Sequence, residues 1–205
     1  MGNWDAIIHD FRRVSQNPTF LAVRKDAEEM ARHLLDRKCG RFTEDDFKRF
    51  LDLINTEITP SKTNSYELRS YEVRTRFRPA FMGKNRNSMI KILDECNRWI
   101  ANLWLSRPDG LDSLDQFWKE SSVNGAGTSL PTAIMYLKDP EIYNVWTPML
   151  AKGLGILLEK KFKMAKTCKN YLFFNDEANK VLRKPFNLRP QEIDYILFRI
   201  AIRLK

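Results

Sequence analysis

Apolar positions recur along most of this chain at helical spacing. Trp4, Ile7, Ile8, Phe11 and Val14 form one stripe, and Ala27, Met30, Ala31 and Leu34 form a second. Recurrence at i, i+3 and i+4 predicts amphipathic helices. Asn17-Pro18 separates the two, and Gly40 predicts a left-handed cap closing the second. Thr43 predicts the N-cap of a third helix, with Glu44, Asp45 and Asp46 in its acid-favouring first turn and Phe47, Phe50, Leu51 and Ile54 on its buried face. Met89, Ile92, Leu93, Cys96, Trp99, Ile100, Leu103 and Trp104 share one face, which predicts the central core helix. Leu111, Leu114, Phe117 and Trp118 predict a short helix, and residues 149–165 a longer one with Leu150, Leu154, Leu157 and Leu158 inward. Asn175-Asp176-Glu177 and Pro190-Gln191-Glu192 read as two further helix starts, the last followed by Ile193, Ile196, Leu197, Ile200, Ala201 and Leu204. A helix running to the last residue suits a fragment of a longer protein as well as a natural terminus.

One stretch breaks the helical pattern. Residues 56–64 are polar and read as a loop. Beyond them Val73, Thr75 and Phe77 alternate with Arg74, Arg76 and Arg78, which is strand periodicity. The fold class expected is therefore all-α: a single globular multi-helix domain over residues 1–205, with a short β-hairpin or extended arm near 66–82.

The sharpest local signal is Asn124-Gly125-Ala126-Gly127-Thr128-Ser129, followed by Pro131 and, further on, Asp139-Pro140 and Thr147-Pro148. Two glycines one residue apart permit a turn that side chains would block. Thr128 or Ser129 can then cap a helix over 131–137, which Asp139-Pro140 stops. This corner admits two readings. It is a sharp bend in an all-α core with Tyr143 and Trp146 buried, or it is an anion site where backbone N–H groups and a helix dipole converge on a phosphate. The G-x-x-x-x-G-K-[ST] phosphate loop of nucleotide-binding proteins is absent.

Charge narrows the choice of partner. The formal net charge is +9, a surplus that favours polyanions, nucleic acid first. Residues 69–91 hold Arg69, Arg74, Arg76, Arg78, Lys84, Arg86 and Lys91 against Glu72 alone. Arginine forks suit phosphate and guanine, and Asn85 and Asn87 can pair with base edges. A second cluster, Lys160, Lys161, Lys163, Lys166 and Lys169, reads more simply as a solvated face. Tyr143 and Trp146, lying between elements, are candidates for stacking on a base. Cys39, Cys96 and Cys168 are single and widely spaced, and suit a reducing cytoplasm rather than a disulfide framework. His9 and His33 complete no metal-ligand spacing. No apolar run approaches a membrane span, and no membrane partner is expected. Pro108-Asp109 and Glu159-Lys160-Lys161 form the nearest nuclease-like coincidence, but the second group falls on a predicted helix. No catalytic residue, metal or cofactor is assigned.

Two resemblances add to this reading. Asn124-Gly125-Ala126-Gly127 through Thr132-Ala133-Ile134-Met135 resembles the helix-hairpin-helix of base-excision DNA glycosylases, in which a Gly-x-Gly turn grips a DNA phosphate. A larger set is similar to N-terminal regions of McrBC-type restriction ATPases. It comprises Arg86-Asn87 entering a Trp-rich helix, Gly125-Ala126-Gly127, residues 139–146 and residues 192–198. The second resemblance implies a non-catalytic module that reads DNA, with modified bases in particular, for an AAA+ motor and nuclease lying outside this chain. The alternatives are a glycosylase-like repair enzyme and a helical protein-interaction adaptor.

Overall fold

The computed structural model describes residues 4–16, 18–55, 57–60, 71–74, 83–106 and 110–203. Helices α1 (Trp4–Ser15), α2 (Pro18–Lys38) and α3 (Glu44–Leu53) come first. Pro18 opens α2 at the position where a missing N–H costs nothing. Gly40 takes φ +74 after α2. Thr43 caps α3 through a capping box, its hydroxyl accepting from the Asp46 N–H while the Asp46 carboxylate accepts from the Thr43 N–H. Two strands follow, β1 (Glu57–Pro60) and β2 (Tyr71–Arg74), paired antiparallel with Ile58 opposite Val73 and Glu57 opposite Arg74. Of the stretch 66–82, expected to form a hairpin or extended arm, the described part is β2, while β1 occupies residues that read as loop; Thr75 and Phe77 lie outside the described residues. The later α-helices are α4 (Gly83–Ile90), α5 (Leu93–Leu105), α6 (Leu111–Glu120), α7 (Ser129–Lys138), α8 (Pro148–Leu158), α9 (Cys168–Ala178), α10 (Lys184–Phe186) and α11 (Pro190–Arg203).

The centre of the core is α7, not the helix expected there. Every residue of α7 from Ser129 to Leu137 is buried. The segment from Met89 to Trp104 is instead broken at Lys91-Ile92, so that α4 and α5 are separate helices. Met30 also departs from its expected place and is 44% exposed; Ala27, Ala31 and Leu35 carry the inward face of α2. That face includes charge. Arg24 donates to Glu28 (3.3 Å) and to Asp194 of α11 (3.2 Å), and Glu28 accepts from Tyr136 of α7 (2.8 Å) and Gln191 of α11 (2.8 Å). Burial and the Glu28 carboxylate beside it push the Tyr136 hydroxyl well above the ordinary tyrosine range.

Helix α9 starts seven residues before the expected Asn175, at Cys168, with Thr167 as cap (Thr167 Oγ1 accepting from Asn170 N, 3.3 Å). Asn175 and Asn179 do different work, holding the 139–147 connection that runs from α7 to α8. The Asn144 amide donates to Asn175 (2.9 Å) and to Asn179 (3.0 Å), and the Tyr171 hydroxyl donates to the Asn144 carbonyl (3.0 Å). A π-helical turn (Asn179–Arg183) follows α9, and the Arg183 guanidinium at its end donates to the Pro140 carbonyl (2.7 Å). Helix α8 ends at Leu158 rather than near 165, with Glu159 in the left-handed conformation at φ 53. Residues 160–165 then form an irregular strap whose Phe162 packs on Phe173 and Phe174 (5.4 and 6.1 Å between ring centroids). The alternation Lys161, Phe162, Lys163, Met164 has strand period, exposed lysines alternating with half-buried apolar side chains.

Helices α8 and α11 cross at Gly153, where a Cβ would run into the backbone carbonyl of Leu197. Alanine is favoured over glycine in a helix by roughly 1 kcal/mol, but overfilling a packed interface costs about 1–3 kcal/mol. The obstacle is backbone, which cannot swing aside. Gly153→Ala is therefore expected to lower the melting temperature, whereas an exposed helical glycine would show the opposite sign; a thermal melt by circular dichroism decides.

Candidate nucleic-acid interface

The glycine corner is anchored at one end by an acid on α5. The Ser122 N–H and hydroxyl both donate to the Glu95 carboxylate, at 2.9 and 2.5 Å. These bonds favour the ionised carboxylate and hold its pKa below the usual glutamate value. Val123 and Ala126 point into the core, and the backbone reverses at Gly125 (φ +94) and Gly127 (φ +56).

The two glycines have different reasons. A Cβ at Gly125 would stand 2.6 Å from the Asn85 carbonyl oxygen and 3.0 Å from Asn85 Cα. Gly125 thus lets the first turn of α4 lie directly against the corner. A Cβ at Gly127 would meet nothing within 4 Å. Gly127 has open space before it, and only its left-handed φ disfavours a side chain.

Around this contact the structure gathers part of the expected site. Lys84, Asn85 and Asn87 are exposed on the opening turns of α4. Arg86 is half-buried and its guanidinium donates to Asp52 on α3, so its charge also joins α4 to α3. Arg74 sits at the end of β2, in register with Glu57; Arg76 and Arg78 lie outside the described residues, as do Pro108 and Asp109.

Other expected members are withdrawn into the core. Thr128 and Ser129 are buried. Thr128 has helical φ and ψ (−92° and −20°) rather than the extended conformation a capping residue needs, and its side chain makes no cap bond. The Thr132 hydroxyl instead donates to the Thr128 carbonyl (2.7 Å) and accepts from the Trp146 N–H (2.9 Å). Tyr143 and Trp146 are 4% and 0% exposed. Trp146 meets Trp118 edge-on at 5.7 Å, and Tyr143 stacks with Tyr171 at 6.4 Å. Neither ring has a free face for a base, so the core reading of this pair stands.

What remains at the surface is the ammonium group of Lys84 and the amides of Asn85 and Asn87, beside a backbone turn. Ammonium groups position a phosphate backbone, and amides add base-edge hydrogen bonds. Among the described residues no group of three or more His, Cys, Asp or Glu side chains is placed to hold a metal ion, and no helix is long and apolar enough to cross a membrane. The Glu95–Ser122 clamp and the asparagine network behind Tyr143 leave no mark in the sequence, because each joins residues far apart in the chain with no motif to signal the pairing. Comparison with protein families, with curated proteins and with solved structures found no match.

Two outcomes follow from this geometry. Gly125→Ala combines left-handed strain with a backbone collision and is expected to cost roughly 2–4 kcal/mol, against about 1–2 kcal/mol for Gly127→Ala, which meets only the strain. Urea unfolding of the pair measures the difference. The second concerns acid. Because the folded Glu95 pKa is depressed, its bonds stabilise the fold above the unfolded glutamate value and are lost as pH falls through the lower folded value. Ser122→Ala should then weaken the acid dependence of the melting temperature below the ordinary glutamate pKa of 4.5, while shifting the neutral-pH melt downward.

Proposed function

We propose that this chain is a DNA-binding module whose contact surface is the first turns of α4 together with the glycine corner. The observation that supports this reading most is the approach of Asn85 to Gly125. It fuses two features far apart in sequence, an amide- and lysine-bearing helix start and a glycine turn, into one surface. Both features suit a phosphate backbone, and the +9 net charge favours a polyanion over a neutral partner. Lys84 is the exposed cation of the site, Asn85 and Asn87 are the base-edge readers, and Gly127 is the point of closest backbone approach. Arg74, Arg76 and Arg78 precede α4 in the chain and add to the positive charge of this stretch of sequence. Following the resemblance to McrBC-type N-terminal regions, the module belongs to a restriction or defence system that reads modified DNA, and the motor and nuclease reside elsewhere.

Duplex binding across a salt series tests this. Log K should fall with log salt at roughly −0.9 per phosphate contacted, and Lys84→Glu should make that slope shallower by about 1 or more. Arg86→Ala should act mainly on stability, since it leaves Asp52 without its α4 partner. Affinity that stays flat between low and physiological salt rejects the electrostatic contact, and an unchanged slope in Lys84→Glu places the DNA on another face.

A further inference from the structure

The strap after α8 encloses a feature that the DNA reading does not use. Gly155 allows it: the Gly155 carbonyl accepts the Lys160 N–H (2.9 Å), and a Cβ there would stand 2.6 Å from the Lys160 carbonyl. The chain thereby turns sharply and runs back beside its own helix. Between the two lies an open groove of about 530 Å³. Its floor is apolar, with Ala151, Gly155 and Ile156 on one stripe of α8 facing Phe162 and Met164 of the strap. Lys152, Lys160 and Lys161 border it, with Glu159 at the turn. Lys152 donates to the Ala201 carbonyl (3.1 Å) and Lys160 to Glu177 (3.2 Å), while Lys161 makes no hydrogen bond or ion pair among the described residues. Lys163, Lys166 and Lys169 continue the positive charge along the exposed side.

The strap backbone is the third element. Among the described residues no hydrogen bond engages the N–H or carbonyl groups of residues 161–164. An alternating segment with unengaged backbone groups is what an incoming extended peptide pairs with when it adds as a strand. We propose that this groove docks an extended acidic segment of a partner protein, its apolar side chains on the Ile156–Phe162–Met164 floor and its carboxylates against the lysines. Charge complementarity selects the acid, and the apolar floor selects a peptide over a bare polyanion. The site does not depend on the DNA surface of α4 and the glycine corner.

Fluorescence anisotropy tests it, with a fluorescein-labelled peptide alternating Glu and Leu over about eight residues. Binding at micromolar Kd is expected, with Lys161→Glu and Ile156→Glu each weakening it by about tenfold or more. Lys161 is exposed, so its variant folds, and a thermal melt verifies the Ile156 variant. Lys84→Glu should leave peptide binding unchanged. Absence of binding up to about 1 mM, for this peptide and for versions carrying Ile or Phe in place of Leu, overturns the proposal. So does equal binding of a peptide alternating Lys and Leu. Tighter, Ile156-dependent binding of a single-stranded oligonucleotide or of phosphatidylserine vesicles overturns it in favour of nucleic acid or membrane.

Discussion

Burial of α7 from Ser129 to Leu137 is the constraint on which the rest of the structure depends. A helix sealed from water on every side must have its polar groups met by protein, because each buried and unmatched group costs on the order of 1–3 kcal/mol. The helix itself and three neighbouring segments meet them. Thr132 bonds within its own helix and receives the Trp146 N–H from the following connection. Tyr136 donates to Glu28 of α2. The Leu137 carbonyl at the open end accepts from Arg32 Nε (2.8 Å). Lys138 reaches the Leu103 carbonyl (3.2 Å) and Ser106 beyond the end of α5. The buried Arg24–Glu28–Asp194 cluster then ties α2 and α11 around the same helix, and breaking such a cluster at one partner costs about 3–5 kcal/mol.

The candidate surface inherits its rigidity from that burial. The glycine corner leads directly into α7, so its backbone is fixed at one end by the core and at the other by the Glu95–Ser122 bonds. Gly125 then brings α4 against it. A turn held at both ends loses little further freedom when a ligand arrives, which favours binding through preorganisation. The proposed division of labour is plain: one glycine serves packing, the other leaves backbone accessible, and the exposed side chains of α4 supply charge and amide donors. The lysine strap borders a separate groove beside α8.

Much of this was legible in the sequence wherever the signal was local. Thr43 with its acidic first turn, Thr147-Pro148 opening α8 and the Ile193–Ala201 stripe of α11 each rest on a few neighbouring residues, and each is observed. The errors are long-range. Helix α7 is short, and length favours the Met89–Trp104 stripe as the centre, although a helix with apolar residues on every face is the better mark of burial. Asn175 reads as a helix start because asparagine is a good cap; its partner Asn144 lies 31 positions away, and only the fold reveals that it belongs mid-helix. The lysine run hides a period of two, Phe162 and Met164 inward and Lys161 and Lys163 outward, because the leucines of α8 up to Leu158 lead into it with helical spacing. Of the proposed site, the residue types were readable, whereas the meeting of Asn85 with Gly125 was not.

The most direct measurement is a two-dimensional amide NMR titration of the full chain with a short DNA duplex at low salt. The proposed surface predicts the largest shifts at Lys84, Asn85, Asn87, Gly125 and Gly127, with little change at Ile156, Phe162 and Met164. Shifts confined to the strap and α8, or a spectrum unchanged at saturating duplex, would contradict it.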